Sequence, residues 1–147
     1  MKQNFLYNLY SKAREDKSLS QLIILCSFLV TFASIRGLTH LQKAGIIPNQ
    51  TGVFHIHHMV PGIILLLLSG YFGMAYWHNK KIHLAMSLLF GIGAALTVDE
   101  FALWLFLKDV YWEKQGRDSI DAIIIVIILL ALSFSLSEIY NHYHNKK

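Results

Sequence analysis

Charged residues and cysteine are both scarce in this 147-residue sequence. Charged residues make up 15% of the chain, hydrophobic residues make up 54%, and the mean hydropathy is +0.44. Because ordinary soluble domains contain about 25% charged residues, this composition argues against a soluble fold and indicates an integral membrane protein. The single cysteine, Cys26, excludes an intramolecular disulfide and a cysteine-based metal cluster.

Common catalytic and nucleotide-binding motifs are also absent. The sequence contains no G-x-x-x-x-G-K-[ST], G-x-S-x-G, H-E-x-x-H or C-x-x-C pattern. The net charge is +4, but the basic residues are scattered at the edges of apolar segments and form no stripe, so we expect no nucleic-acid partner. The first apolar run is too long for a signal peptide and has no A-x-A site at its end, so we expect it to remain as a helix.

Four apolar stretches approach the roughly 20 residues that a helix needs to cross a bilayer. They cover residues 20–41, 60–77, 83–107 and 120–140. Since unpaired backbone groups cannot face lipid, each stretch should be α-helical. We therefore predict a single all-α membrane domain, residues 1–147, built as an antiparallel bundle of four transmembrane helices in the lipid bilayer. Residues 1–18 would form a cytoplasmic or interfacial segment.

The distribution of lysine and arginine predicts the orientation. The N-terminal segment, the connection between the second and third stretches, and the C-terminal tail together carry eight basic residues. The connections on the opposite side carry four. By the positive-inside rule, both termini should lie in the cytoplasm.

Local signals predict how the helices pack and begin. Gly70 and Gly73 in the second stretch, with Gly91 and Gly93 in the third, should let these helices approach closely in their cytoplasmic halves. Ser119, or Asp118 beside it, is a candidate cap for the last helix.

The third apolar stretch contains two adjacent acids, Asp99 and Glu100. Carboxylates in hydrocarbon are costly unless they are paired, protonated or bound to a cation, so they mark a candidate functional site. At 1.5 Å per residue, Asp99 lies roughly 24 Å from the inner end of its helix, and Arg36 lies about the same distance from the start of the first helix. His40 follows Arg36 by one turn on the same face.

Histidines cluster just before the second helix. Pro61 disfavours helical geometry at the preceding residue, which places the start of the helix near it and the H-I-H-H run at its outer mouth. The depth estimates therefore predict one polar layer that opens toward the outside. Its members are Arg36, His40, His55, His57, His58, Asp99 and Glu100.

The charges of this layer leave three interpretations open. Two carboxylates facing one guanidinium leave a negative charge, which a proton, a histidinium or a metal ion must neutralise. The layer could thus be a structural ion pair between Arg36 and one acid, a metal site, or a proton or ion pathway. Imidazole and carboxylate are normal ligands of zinc, iron and manganese.

The run H-H-M-V-P-G at residues 57–62 and the run G-I-G-A-A-L-T-V-D-E-F-A-L-W-L at residues 91–105 resemble a group of small bacterial integral membrane proteins. D-V-Y-W at 109–112 and G-R-D-S-I-D-A at 116–122 extend the resemblance over about half of the chain. The resemblance implies a four-helix protein of the bacterial inner membrane and indicates no particular activity. By matching position it includes these residues: His57, His58, Asp99, Glu100, Asp109, Tyr111, Trp112 and Arg117.

The leading hypothesis is a periplasm-facing pocket that binds a divalent metal. Its candidate ligands are His57, His58, Asp99, Glu100, His55 and His40. If the protein is an enzyme, metal-assisted hydrolysis of a lipid-like substrate is the first reaction to test. In that scheme the histidines and one of the two acids, Asp99 or Glu100, hold the metal, the other acid accepts a proton from water, and Arg36 steadies an anionic group. One alternative is a small transporter, or a transporter subunit, that relays protons or cations through Asp99 and Glu100, for which a homodimer is expected. Another is a structural subunit of a membrane complex.

Overall fold

The computed structural model describes residues 2–47, 57–107 and 117–144, and only the backbone of residues 2–16, 117 and 144. The predicted all-helical class is confirmed over these ranges, which contain five α-helices and no strand. The helices are α1 (Lys2–Lys43), α2 (Met59–Ala75), α3 (Lys80–Asp99), α4 (Phe101–Phe106) and α5 (Arg117–His144). The predicted third helix, 83–107, is therefore two helices that meet at Glu100.

Among the described residues, three segments are long and apolar enough to cross a membrane: Lys17–Lys43, Lys80–Asp99 and Asp118–Tyr143. Helix α2 is equally apolar in character but has 17 residues. Many large apolar side chains on these helices are exposed, including Met74 at 80% and Leu67 at 68%. A surface of this kind suits contact with lipid, so the architecture indicates a membrane protein.

Helix α3 lies at the centre of the molecule. It packs against α1 on one side and α2 on the other, while α5 contacts α1, α3 and α4. The apolar core is correspondingly small, with Phe28 of α1, Ala95 of α3 and Ile123 of α5 packed together. Glycines lie at the contacts of α3 with α1 and α2, where the helices approach one another closely.

Close approach between α2 and α3 occurs in a different place from the one the glycine pattern predicts. A Cβ atom at Gly62 would lie 2.6 Å from Thr97 Oγ1, and one at Gly93 would lie 2.8 Å from the carbonyl oxygen of Gly62. A Cβ at Gly70 would meet nothing within 4 Å, and one at Gly73 would make an ordinary contact. The two helices therefore cross most tightly at the end that carries Asp99.

Gly91 of α3 packs against α1 and not against α2. A Cβ atom there would lie 1.9 Å from Ser27 Oγ and 2.5 Å from the carbonyl oxygen of Ile24. Two turns farther along both helices, Arg36 meets Asp99. The crossing at Gly91 thus fixes the separation of the helices that carry these opposite charges.

Candidate functional site

The candidate site surrounds the break between α3 and α4. Asp99 is the last residue of α3, and Glu100 follows with φ −102° and ψ 25°, outside helical geometry. The backbone resumes as α4 at Phe101, where Ser119 Oγ accepts a 2.9 Å hydrogen bond from the Ala102 N–H. Because the N–H groups of a first helical turn have no partner within the helix, this contact from α5 stabilises the restart.

Asp99 is fully buried, and its carboxylate pairs with one side chain of α1 and one at the start of α2. Its Oδ1 lies 2.5 Å from Arg36 Nε, and its Oδ2 lies 2.9 Å from His58 Nε2. The Arg36 Nη2 also donates to the backbone carbonyl of Asp99 at 3.5 Å, and the guanidinium lies 5.7 Å from the centre of the Phe32 ring. Both oxygens of this carboxylate therefore face a charged or protonatable nitrogen, which offsets the cost of its burial.

Glu100 is 7% exposed and binds the start of α2. Its Oε2 accepts a 3.0 Å hydrogen bond from the Met59 N–H, and its Oε1 lies 3.0 Å from His57 Nδ1. His58 occupies the N-cap position of α2 but makes no capping bond with its own side chain. Glu100 thus supplies a negative charge to the N-terminus of α2, where the helix dipole favours one.

The His58 ring lies between the two acids. Its Nε2 lies 2.9 Å from Asp99 Oδ2, and its Nδ1 lies 3.5 Å from Glu100 Oε1. A neutral imidazole donates from one nitrogen only, whereas imidazolium donates from both. With Arg36 as the other cation, one additional proton on His58 balances the two carboxylates. The ring is therefore placed to face both carboxylates with an N–H when it carries a second proton.

Exposure changes from one edge of the cluster to the other. The side chains of His57 and His58 are 29% and 25% exposed, while those of Asp99 and Glu100 are 0% and 8% exposed. The imidazoles therefore separate the carboxylates from the surroundings.

The structure brings together five of the predicted site residues, namely Arg36, His57, His58, Asp99 and Glu100. His40 lies one turn beyond Arg36 on α1 and is exposed. His55 lies outside the described residues, as do Asp109, Tyr111 and Trp112 from the resemblance, and the Arg117 side chain does too.

A metal site does not emerge from the contacts as they stand. Within the described ranges, no group of three or more His, Cys, Asp or Glu side chains is placed to hold a metal ion. Each carboxylate oxygen of the cluster already faces a nitrogen. The zinc, iron or manganese hypothesis therefore stays a prediction.

Other contacts at the site were missed by the sequence reasoning. Ser119 is not the cap of α5, because that helix begins before it at Arg117, and its hydroxyl bonds α4 instead. The Trp104 indole N–H donates to Met59 Sδ and so connects α4 to the start of α2. An apolar-run analysis gives no signal for these contacts, since both join elements that are distant in the sequence.

Compared with known proteins, the chain matches no family model, no curated sequence and no solved structure. The function is therefore inferred from the chain's own residues.

Proposed function

We propose that this protein crosses the bacterial inner membrane four times, with α2 as the fourth crossing and both termini in the cytoplasm. The excess of basic residues beside the termini and between α2 and α3 supports this orientation. A helix of 17 residues is about 26 Å long at 1.5 Å per residue, close to the roughly 30 Å of the hydrocarbon core. The cluster then faces the periplasm.

We propose further that the cluster formed by Arg36, His57, His58, Asp99 and Glu100 is the coupling site of a small proton-linked cation transporter or transporter subunit. The observation that carries the proposal is the His58 imidazole, whose two nitrogens each face a carboxylate. Imidazole is a side chain that proteins use as a proton shuttle.

The charge balance gives a mechanism for exchange. With His58 protonated, its charge and that of Arg36 balance Asp99 and Glu100. When the proton leaves Nδ1 for water on the exposed side, the cluster carries one net negative charge in a medium of low dielectric. A cation that enters against Glu100 restores neutrality, and its departure favours reprotonation. Proton and cation thus occupy the cluster alternately.

Two copies would complete the transport path. Four helices enclose little space among themselves, so a homodimer with a path along the subunit boundary is the assembly that we propose.

Proton flux in vesicles tests the proposal. Purified protein is reconstituted into liposomes that contain a pH-sensitive dye, and an inward sodium or potassium gradient is imposed. Because each cation that enters displaces a proton outward, we expect the wild type to alkalinise the lumen. We expect the rate to be at least tenfold lower for Glu100→Gln and for His58→Gln. The matched control is Glu138→Gln, the same substitution at the far end of α5, which should retain the flux. An inactive wild type, or equal flux in wild type and Glu100→Gln, would contradict the proposal.

Metal binding is the second candidate. Nδ1 of His57 and Nδ1 of His58 both lie within 3.5 Å of Glu100 Oε1, so deprotonation would direct two imidazole nitrogens and a carboxylate oxygen at one region. Hydrolysis of a lipid-like substrate would require that metal. Elemental analysis of purified wild type and His57→Ala/His58→Ala protein decides between the candidates. Stoichiometric metal in the wild type alone would favour the metal site, and negligible metal in both proteins would reject the metal site.

A structural subunit of a membrane complex would instead co-purify with a partner at fixed stoichiometry.

A further inference from the structure

A groove lies at the end of the helices opposite the cluster. It has a volume of about 560 Å³ and is formed by the second half of α2, the first half of α3 and Ile24 of α1. Apolar and aromatic side chains dominate its lining, including Trp77, Met86 and Phe90. This volume falls within the range of roughly 300–1,000 Å³ that is typical of ligand sites.

One polar atom in the groove has an unmet hydrogen-bonding requirement. His83 Nδ1 is buried and has no hydrogen-bond partner among the described residues. The two serines of the lining bond within their own helices, Ser69 to the Leu66 carbonyl and Ser87 to the His83 carbonyl. A buried polar atom without a partner costs on the order of 1–3 kcal/mol. Because this atom has almost no accessible surface, the ring must turn toward the groove before a ligand can bond to it.

Positive charge surrounds this end of the groove. Lys80 and Lys81 begin α3 and are exposed, and Lys80 lies on the same face as His83, three residues away. The sequence contains no acidic residue between positions 57 and 98. The N-terminal dipole of α3 adds to the positive potential. An anionic group is therefore favoured over a neutral or cationic one.

We propose that the groove binds one anionic phospholipid of the cytoplasmic leaflet. An acyl chain occupies the apolar trough between α2 and α3, and the phosphate lies near His83, Lys80 and Lys81. Basic pockets between transmembrane helices on the cytoplasmic side bind anionic lipid headgroups in this way. The groove opens on the lipid-facing surface, where Met74 is 80% exposed and Trp77 is 62% exposed, so a lipid enters laterally.

Gly70 offers a direct way to close the site. It lines the groove, and a Cβ atom there would meet nothing within 4 Å. A leucine at this position fills the trough without moving a helix. Gly37 of α1 has the same empty surroundings but does not line the groove, so Gly37→Leu is the matched control.

Fluorescence quenching tests the proposal. Purified protein in detergent is titrated with phosphatidylglycerol or phosphatidylcholine that carries brominated acyl chains. The tryptophan fluorescence of Trp77→Phe is subtracted from that of the wild type to give the contribution of Trp77. We expect saturable quenching by brominated phosphatidylglycerol, with at least tenfold tighter binding than phosphatidylcholine. Gly70→Leu should weaken that binding at least tenfold, and Gly37→Leu should match the wild type.

The headgroup contribution is tested separately by Lys80→Gln/Lys81→Gln. This exposed double substitution leaves the trough intact and should lower phosphatidylglycerol affinity to that of phosphatidylcholine. Equal affinity for the two lipids in the wild type would overturn the proposal, since it would indicate ordinary boundary lipid. Wild-type affinity in Gly70→Leu would overturn it as well.

Discussion

The carboxylates at the two ends of this molecule have opposite surroundings. Asp99 has no exposed surface and is held by Arg36 of α1 and by His58 at the start of α2. At the other end, Glu138 of α5 is exposed and accepts a hydrogen bond from the neutral Ser18 of α1. A buried charge is tolerated where several elements converge to balance it, whereas an exposed one needs no such arrangement. The residues of the cluster therefore depend on one another for stability. The contact between Ser18 and Glu138, which we call the α1–α5 end, has no such dependence.

Removal of Arg36 should have the largest effect on stability. Arg36→Met retains a long apolar side chain but leaves Asp99 buried without its guanidinium, and loss of one partner of a buried pair costs about 3–5 kcal/mol. Unfolding in mixed micelles with increasing sodium dodecyl sulfate, followed by circular dichroism, measures the free energy of unfolding. Lys17→Met removes one positive charge from an exposed position of the same helix and should change that free energy little.

A double substitution distinguishes a cluster kept for function from one kept for stability. Arg36→Met/Asp99→Leu removes both members of the pair, and exchange of a buried ion pair for apolar residues is often neutral. We expect most of the lost stability to return while proton flux stays abolished. If Arg36→Met alone unfolds no more easily than Lys17→Met, the contrast between the two ends is wrong.

Gly91→Ala should have an intermediate effect, because it separates α1 from α3 without touching a charge. The new Cβ would lie 2.5 Å from the Ile24 carbonyl oxygen, which belongs to the backbone and cannot rotate away. Overpacking of this kind costs about 1–3 kcal/mol. The shift should also lengthen the Arg36–Asp99 contact two turns away and lower the flux.

The control for this substitution is Gly70→Ala, where the added methyl group has open space. It should leave the unfolding transition close to that of the wild type. Similar destabilisation by both substitutions would show that loss of glycine flexibility, and not the α1–α3 crossing, is the cause.

Much of this architecture follows from the sequence, since long apolar runs specify helices and rise per residue predicts the shared depth of Arg36 and Asp99. The break at Glu100 does not follow. The Glu100 carboxylate binds His57 and the Met59 N–H, which lie more than 40 positions away. The apolar run from 83 to 107 contains no sign of these distant contacts, so it predicts one continuous helix. The glycine pattern likewise predicts close packing but not which partner each glycine meets, so Gly91 was placed against α2 when it packs on α1. The roles predicted for the site residues stay predictions.

The smallest effect is expected at the α1–α5 end. Glu138→Gln keeps an oxygen that can accept from Ser18 and removes one exposed charge, and hydrogen bonds of this kind contribute about 0.5–1.5 kcal/mol even when lost entirely. The neighbouring contact from Gln21 Nε2 to Ser133 Oγ, at 2.8 Å, should stay in place and hold α1 against α5. We therefore expect a change in the free energy of unfolding below about 1 kcal/mol in the same detergent titration. A loss as large as that of Arg36→Met would mean that Glu138 also belongs to an interdependent charged site. The molecule would then have two such sites, one near each end of the apolar segment Lys17–Lys43.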